Sequence, residues 1–322
     1  MEIVKIEGLS PFEYEHPLDK KGLVILEKTP GLDFLVKKFY ELGLEKLLQL
    51  QLVGSNLKIT ASSLPHIYEV LEDTCEILNL KTTPDFYVRH DNYTSQLQAV
   101  PNNLQGMTIG VDNPMIAISA ECIDSFSNEE LLFVLGCEIG RIKSQHILYK
   151  EISLLLPMAS AILGGVTFGI NFTEPIVQGL SVALFQWYRW SEFTADRAGL
   201  LACQDLNAAM MAMAKIAGLP RKYFDSFDVG DFVTQAREYE GFGDTSYTKL
   251  LKILNLMFKS QAFTVSRANE LLKWADSGEY QSVLDRTTRI KPLLPASFCR
   301  NCGFKLELSS AFCAKCGQRV VA

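Results

Sequence analysis

The chain has 322 residues, 48% of them hydrophobic and 21% charged, with a formal net charge of -6. That length and apolar content can bury a large core, either as one long domain or as a large domain joined to a small one. The acidic balance excludes a generally basic surface, so nucleic acid is not an expected partner.

In chain order, Leu32, Leu35, Val36 and Phe39 recur at helical spacing after the Pro30-Gly31 breaker and predict an amphipathic helix. Leu57 to Thr60 reads as a short strand, Leu64 to Leu78 as a helix, and Asp85 to Arg89 as a second strand. Two further strands are expected at Met107 to Val111 and Met115 to Ser119, divided by the turn signal Asp112-Asn113-Pro114. Ser127 is a natural N-cap, with Glu129 and Glu130 at the positive end of the helix dipole, and predicts a helix from Glu129 to Tyr149. A second long helix is expected from about Pro175 to Cys203, followed by a helical bundle to about Ser282. The fold class is therefore α+β, mainly helical, with a small antiparallel sheet.

No charged residue stands between Glu151 and Glu174, a run long enough to cross a bilayer. Its glycines, Pro157 and several Ser and Thr make it only moderately apolar, so a buried helix or hairpin competes with membrane association through 152–173. The N-terminal Met1-Glu2-Ile3-Val4-Lys5 shows no signal-peptide pattern, which leaves the cytoplasm as the expected compartment.

Four of the eight cysteines fall at the end of the chain, as Cys299-Arg300-Asn301-Cys302-Gly303 and Cys313-Ala314-Lys315-Cys316-Gly317. Each C-x-x-C-G knuckle turns tightly enough for both thiolates to face one ion, and two knuckles give a tetrahedral four-thiolate Zn2+ site. So short a segment has little core of its own, and the structural metal must supply its stability. Cys75, Cys122, Cys137 and Cys203 are scattered singly, which fits a reducing compartment better than a disulfide framework. The predicted organisation is a main domain at 1–288, a linker at 289–297 and a zinc ribbon at 298–322. Arg300, Lys305, Lys315 and Arg319 outweigh Glu307 in the ribbon, which has few aromatic residues to stack on bases; protein docking or self-association is its expected role.

The segment Leu135-Gly136-Cys137-Glu138-Ile139-Gly140-Arg141 has the frame of an H-E-x-x-H helix, in which two histidines one turn apart ligate zinc and the glutamate polarises water. Here Cys137 and Arg141 stand at the histidine positions and only Glu138 remains. On this frame the chain resembles the HtpX-like and Oma-like zinc metallopeptidases, the group that includes the CAAX prenyl proteases. His16-Pro17-Leu18-Asp19, Thr29-Pro30-Gly31-Leu32, the stretch Gly106 to Ser119 and Trp190-Ser191-Glu192-Phe193-Thr194-Ala195-Asp196-Arg197-Ala198-Gly199 extend the likeness over most of residues 10 to 285. The resemblance implies a zincin-like fold, with Glu192 at the place of the third zinc ligand and Asp196 supporting a ligand from behind. It also places Gln261 and Ala262 where the family carries His-Pro, and keeps Arg267 at an arginine that faces the site.

These departures predict a catalytically degenerate member with no catalytic zinc. A guanidinium has no acceptor atom and is not deprotonated in proteins, so Arg141 is expected to pair with Glu192 where the metal would sit. Glu138 would then be idle. The competing expectation is an active metallopeptidase with an atypical ligand set that includes Cys137 and Glu192. Cys137 as a nucleophile lacks a base, and His146, nine positions later, falls on nearly the opposite face of one continuous helix. His16, His66 and His90 show no ligand spacing. The expected partner is a protein or peptide, received by strand addition along Met115 to Ser119.

Overall fold

The computed structural model describes residues 3–89, 105–153, 174–241 and 262–285. In chain order the elements are α1 Pro17–Glu27, α2 Leu32–Glu41, α3 Leu44–Ser55, β1 Leu57–Ile59, α4 Pro65–Ile77, β2 Asp85–Arg89, β3 Met107–Ile109, β4 Met115–Ser119 and α5 Ala120–Ser125. They continue with α6 Asn128–Lys143, α7 at 147–153, α8 Glu174–Cys203, α9 Leu206–Ala217, α10 Val229–Gly241, α11 Thr264–Asp276 and α12 Glu279–Leu284.

The fold is mainly helical with one four-stranded sheet in the order β1-β2-β4-β3. The sheet is mixed rather than antiparallel: β1 and β3 run against their neighbours, but β2 and β4 are parallel, with Phe86 opposite Ile116 and Val88 opposite Ile118. The β3–β4 hairpin is short, whereas the connection from Arg89 to Met107 is long enough for β4 to insert beside β2 and leave β3 outside. This also moves the expected docking strand. Met115–Ser119 has a neighbour on each side, so it has no free edge to offer a peptide; β3 is the edge strand at that end of the sheet.

Alternation along the strands divides the apolar residues between two cores. Ile59, Phe86, Ile116 and Ile118 join α4, α6, α9 and the C-terminal half of α8. Tyr87, Met107, Ile109 and Ala117 point the other way, toward α2, α3, Tyr149, Ile152 and Leu180 to Tyr188. Helix α8 passes from one core to the other, and the site described below lies where it crosses α6.

Helix α6 starts as its sequence predicts. Ser127 accepts a hydrogen bond from the Glu130 N–H, and Glu130 reaches back to the Ser127 N–H at 2.8 Å. Every residue from Glu130 to Arg141 is buried, so this helix is central rather than amphipathic. Its length departs from expectation. The helix stops at Lys143 because Gln145 adopts a left-handed φ of 58°, and a separate helix begins at 147. His146 therefore takes its direction from the turn, not from the face of one long helix.

Helices α6 and α8 touch backbone to backbone. A Cβ on Gly136 would lie 2.5 Å from the Ala202 Cβ, and one on Gly140 would lie 2.4 Å from the Ala198 Cβ. The expected linker, the zinc ribbon with Cys299, Cys302, Cys313 and Cys316, Gln261 and His90 lie outside the described residues, as does 154–173 of the uncharged run. Among the described residues, no helix is long and apolar enough to cross a membrane.

Candidate functional site

Helix α6 brings Cys137, Glu138 and Arg141 to one end of a buried polar cluster. Helix α8 supplies Glu192 and Asp196, one turn apart, and α11 supplies Arg267. The structure thus gathers every predicted main-domain site residue except Gln261, which lies outside the described residues.

The cluster alternates in charge. Arg141 Nη1 donates to Glu138 Oε1 at 2.7 Å and Nη2 donates to Glu192 Oε1 at 2.8 Å. Arg267 lies 3.5 Å from the other Glu192 oxygen and forms a fork on Asp196, with Nε and Nη2 at 2.9 and 2.6 Å from its two oxygens. All five charged residues are 5% exposed or less. The expected Arg141–Glu192 pair is present, and the guanidinium holds Glu138 as well, the two carboxylates it is expected to attract.

Burial sets what these groups can do. It would push the Glu192 carboxyl up, but Arg141 and then Arg267 hold it down at about 2. Burial also opposes the charge of Arg141, yet Glu138 and Glu192 outweigh it and raise the guanidinium above its ordinary value. Cys137 goes the other way: burial, reinforced by Asp196, pushes its thiol well up. Its Sγ lies 3.7 Å from Asp196 Oδ1 as a donor and packs where a Cβ on Gly199 would be. Burial thus disfavours the thiolate that a ligand or a nucleophile would need.

Three participants escaped the sequence reading. Thr108 on β3 donates to Glu138 Oε2 at 2.7 Å. Its signal was a hydroxyl between Met107 and Ile109, which both face the other core. Gly106 lets the chain approach: a Cβ there would sit 2.5 Å from Glu138 Cγ. Lys150 on α7 is 5% exposed, and burial lowers its pKa while Glu138 and Glu192 pull it back up. It was legible only as the last cation before the uncharged run.

The chemistry of the donors tests whether this site suits a zinc ion. The three ligand positions hold a buried thiol, a guanidinium and a carboxylate already shared by two arginines. A divalent ion needs lone pairs pointing inward, and the group standing between Glu138 and Glu192 offers only N–H donors. The residues present do not fit the metal. Among the described residues, no group of three or more His, Cys, Asp or Glu is arranged to hold an ion.

The histidines are engaged elsewhere. His16 caps α1, with Nδ1 accepting from the Leu18 N–H and Nε2 3.2 Å from Glu270, while exposed His66 meets Asn128 at 2.9 Å. His146 is 5% exposed and its Nε2 lies 3.1 Å from Asp19.

Another buried acid lies beside the end of β3. Glu151 accepts from the Gly110 N–H at 2.6 Å, while its other oxygen has no partner. Burial raises its pKa to about 8, partly offset by that hydrogen bond. The folded chain thus binds the proton more tightly than the unfolded one, so this group's stabilisation is full in acid and is lost as pH rises through about 8. Glu151→Gln, which keeps an acceptor for Gly110, is expected to remove a slope of up to about 1.4 kcal/mol per pH unit from stability between pH 5 and 8. Urea titrations at several pH values measure it.

The sequence profile of peptidase family M48 matches residues 67–275. The plastoglobule-localized metallopeptidase 48 of Arabidopsis thaliana, described as chloroplastic, is 28% identical over 283 residues, covering 88% of this chain and 78% of its own. No solved structure matches the chain significantly. With the family profile spanning both motif helices and the structure bringing their residues together, the chain belongs to peptidase family M48, a family of zinc-dependent metallopeptidases.

Proposed function

We propose that this M48 protein no longer cuts peptide bonds and instead serves as a scaffold or regulator that binds a protein or peptide. One observation carries the reading: the Arg141 guanidinium is bonded to both Glu138 and Glu192, the carboxylates that would activate water and ligate the metal. Glu138 accepts from Thr108 on its other oxygen, so protein donors already engage both of its oxygens. A partner strand added at the end of the sheet nearest this cluster would pair with β3, the strand that carries Thr108.

In this reading the bound zinc is structural and belongs to Cys299, Cys302, Cys313 and Cys316, in a ribbon that docks a protein or a second copy. Cys75, Cys122, Cys137 and Cys203 are free thiols, which supports a reducing compartment such as the cytoplasm. Family membership and the retained Glu138 favour the rival reading, an active metallopeptidase with unusual ligands. Metal counting on the full chain separates the two. We expect one zinc per chain, lost in Cys299→Ser, and no chelator-sensitive cleavage of unfolded casein. Two zincs per chain, or cleavage abolished by Glu138→Gln, would reverse the conclusion.

A further inference from the structure

The turn of the β3–β4 hairpin is held by acids on two helices. On α3, Glu45 Oε1 accepts from the Asp112 N–H at 3.1 Å, and Gln49, which donates to the same oxygen, also reaches the Asn113 carbonyl at 3.4 Å. On α7, Glu151 Oε1 accepts from the Gly110 N–H at 2.6 Å. Gly110 is left-handed, with φ 88°, and a Cβ there would stand 2.4 Å from the Asn113 carbonyl oxygen. The turn therefore closes tightly at the point that Glu151 grips.

The two acids differ in their surroundings. Glu45 is half-buried, whereas Glu151 is 0% exposed and its second oxygen has no hydrogen-bond partner. The neutral acid tolerates this place, because Gly110 satisfies its carbonyl oxygen. The carboxylate would carry charge, out of water, on an oxygen that no donor meets. Burial raises the pKa to about 8 against the pull of the Gly110 bond; Glu45 on α3 adds to the rise and Lys150 on α7 subtracts from it. Asp112, the charged residue of the hairpin turn, is exposed.

We propose that Glu151 is a proton-controlled latch on the β3–β4 hairpin. Protonated, it ties Gly110 to α7. When the proton leaves to solvent, the carboxylate gains by hydration, and water reaches it only if the hairpin and α7 part. Strand β3 is the edge of the sheet and carries Thr108 onto Glu138, so the latch sets how firmly that edge is held. The device stands whether or not the chain cuts, because Glu151 bonds to the hairpin and not to the ion-paired cluster.

The test is native-state hydrogen exchange of the full-length chain, with the protection of the Gly110 amide measured against an unstructured peptide at each pH. In the opened hairpin Glu151 returns to its ordinary value of 4.5, so each opening releases one proton between about pH 5 and 8. Protection at Gly110 is expected to fall about tenfold per pH unit across that range and to level off above it. Glu151→Gln, which keeps the acceptor and cannot ionise, should make protection independent of pH. Amides of buried Met210 and Met213 in α9, in the other core, should stay better protected than Gly110. Flat protection at Gly110 in the unaltered chain overturns the proposal. So does the same fall in Glu151→Gln, which would put another group in control. Equal protection of Gly110 and the α9 amides at every pH would also overturn it, since the hairpin would then open only when the whole chain unfolds.

Discussion

Arg141→Ala is expected to lower the free energy of unfolding by about 3–5 kcal/mol, the scale for removing one partner of a buried ion pair. Arg141 is 5% exposed and its guanidinium is bonded to Glu138 at 2.7 Å and Glu192 at 2.8 Å, so its removal leaves two carboxylates facing each other out of water. Arg267 lies 3.5 Å from the far oxygen of Glu192 and is already committed to Asp196. It cannot take over both roles. The triple change Glu138→Gln, Arg141→Met, Glu192→Gln should recover much of the loss, because it removes the unpaired charges as well as the pair. Urea unfolding of the two variants beside the unaltered chain measures both. A loss below about 1 kcal/mol in Arg141→Ala, the surface ion-pair range, would show that water reaches this cluster.

Gly199→Ala should be the most damaging single methyl group in α8. The added Cβ would stand 2.7 Å from the Phe133 carbonyl oxygen and 2.6 Å from Cys137 Sγ. The thiol can rotate, but the carbonyl belongs to the α6 backbone, so the helices must separate. Overpacking of this kind costs about 1–3 kcal/mol and sometimes more; we expect about 3, because the strain falls on the helix pair that carries the site. Gly179→Ala in the same helix is the control. Nothing lies within 4 Å of its added Cβ, and removal of a helical glycine should raise stability by roughly 0.5–1 kcal/mol. Thermal unfolding of the two variants should therefore shift in opposite directions.

Much of the site was legible in the chain because it lies on helices. The spacing Cys137, Glu138, Arg141 and the spacing Glu192, Asp196 each define a side-chain face once helical geometry is assumed, and the chemistry of arginine forbids the metal at its position. Arg267 was placed by resemblance to a family, since nothing in residues 262–267 alone directs it to Asp196. Thr108, Gly106 and Lys150 were not found. They reach Glu138 or its surroundings from a strand and from a separate helix, and no spacing along the chain encodes that approach.

Local signals also failed where two local conformations were close in energy. Helix α6 reads as continuous to Tyr149, yet Gln145 turns left-handed with φ 58° and sends His146 to Asp19. What residues 128–143 and 174–203 determined by themselves was helix, face and charge, because those follow from a repeat of 3.6 residues and from side-chain chemistry. Only the folded chain decided that β4 lies inside the sheet and that β3 is its edge. Those depend on which distant segments pack together, and long-range packing leaves no periodic trace in the sequence.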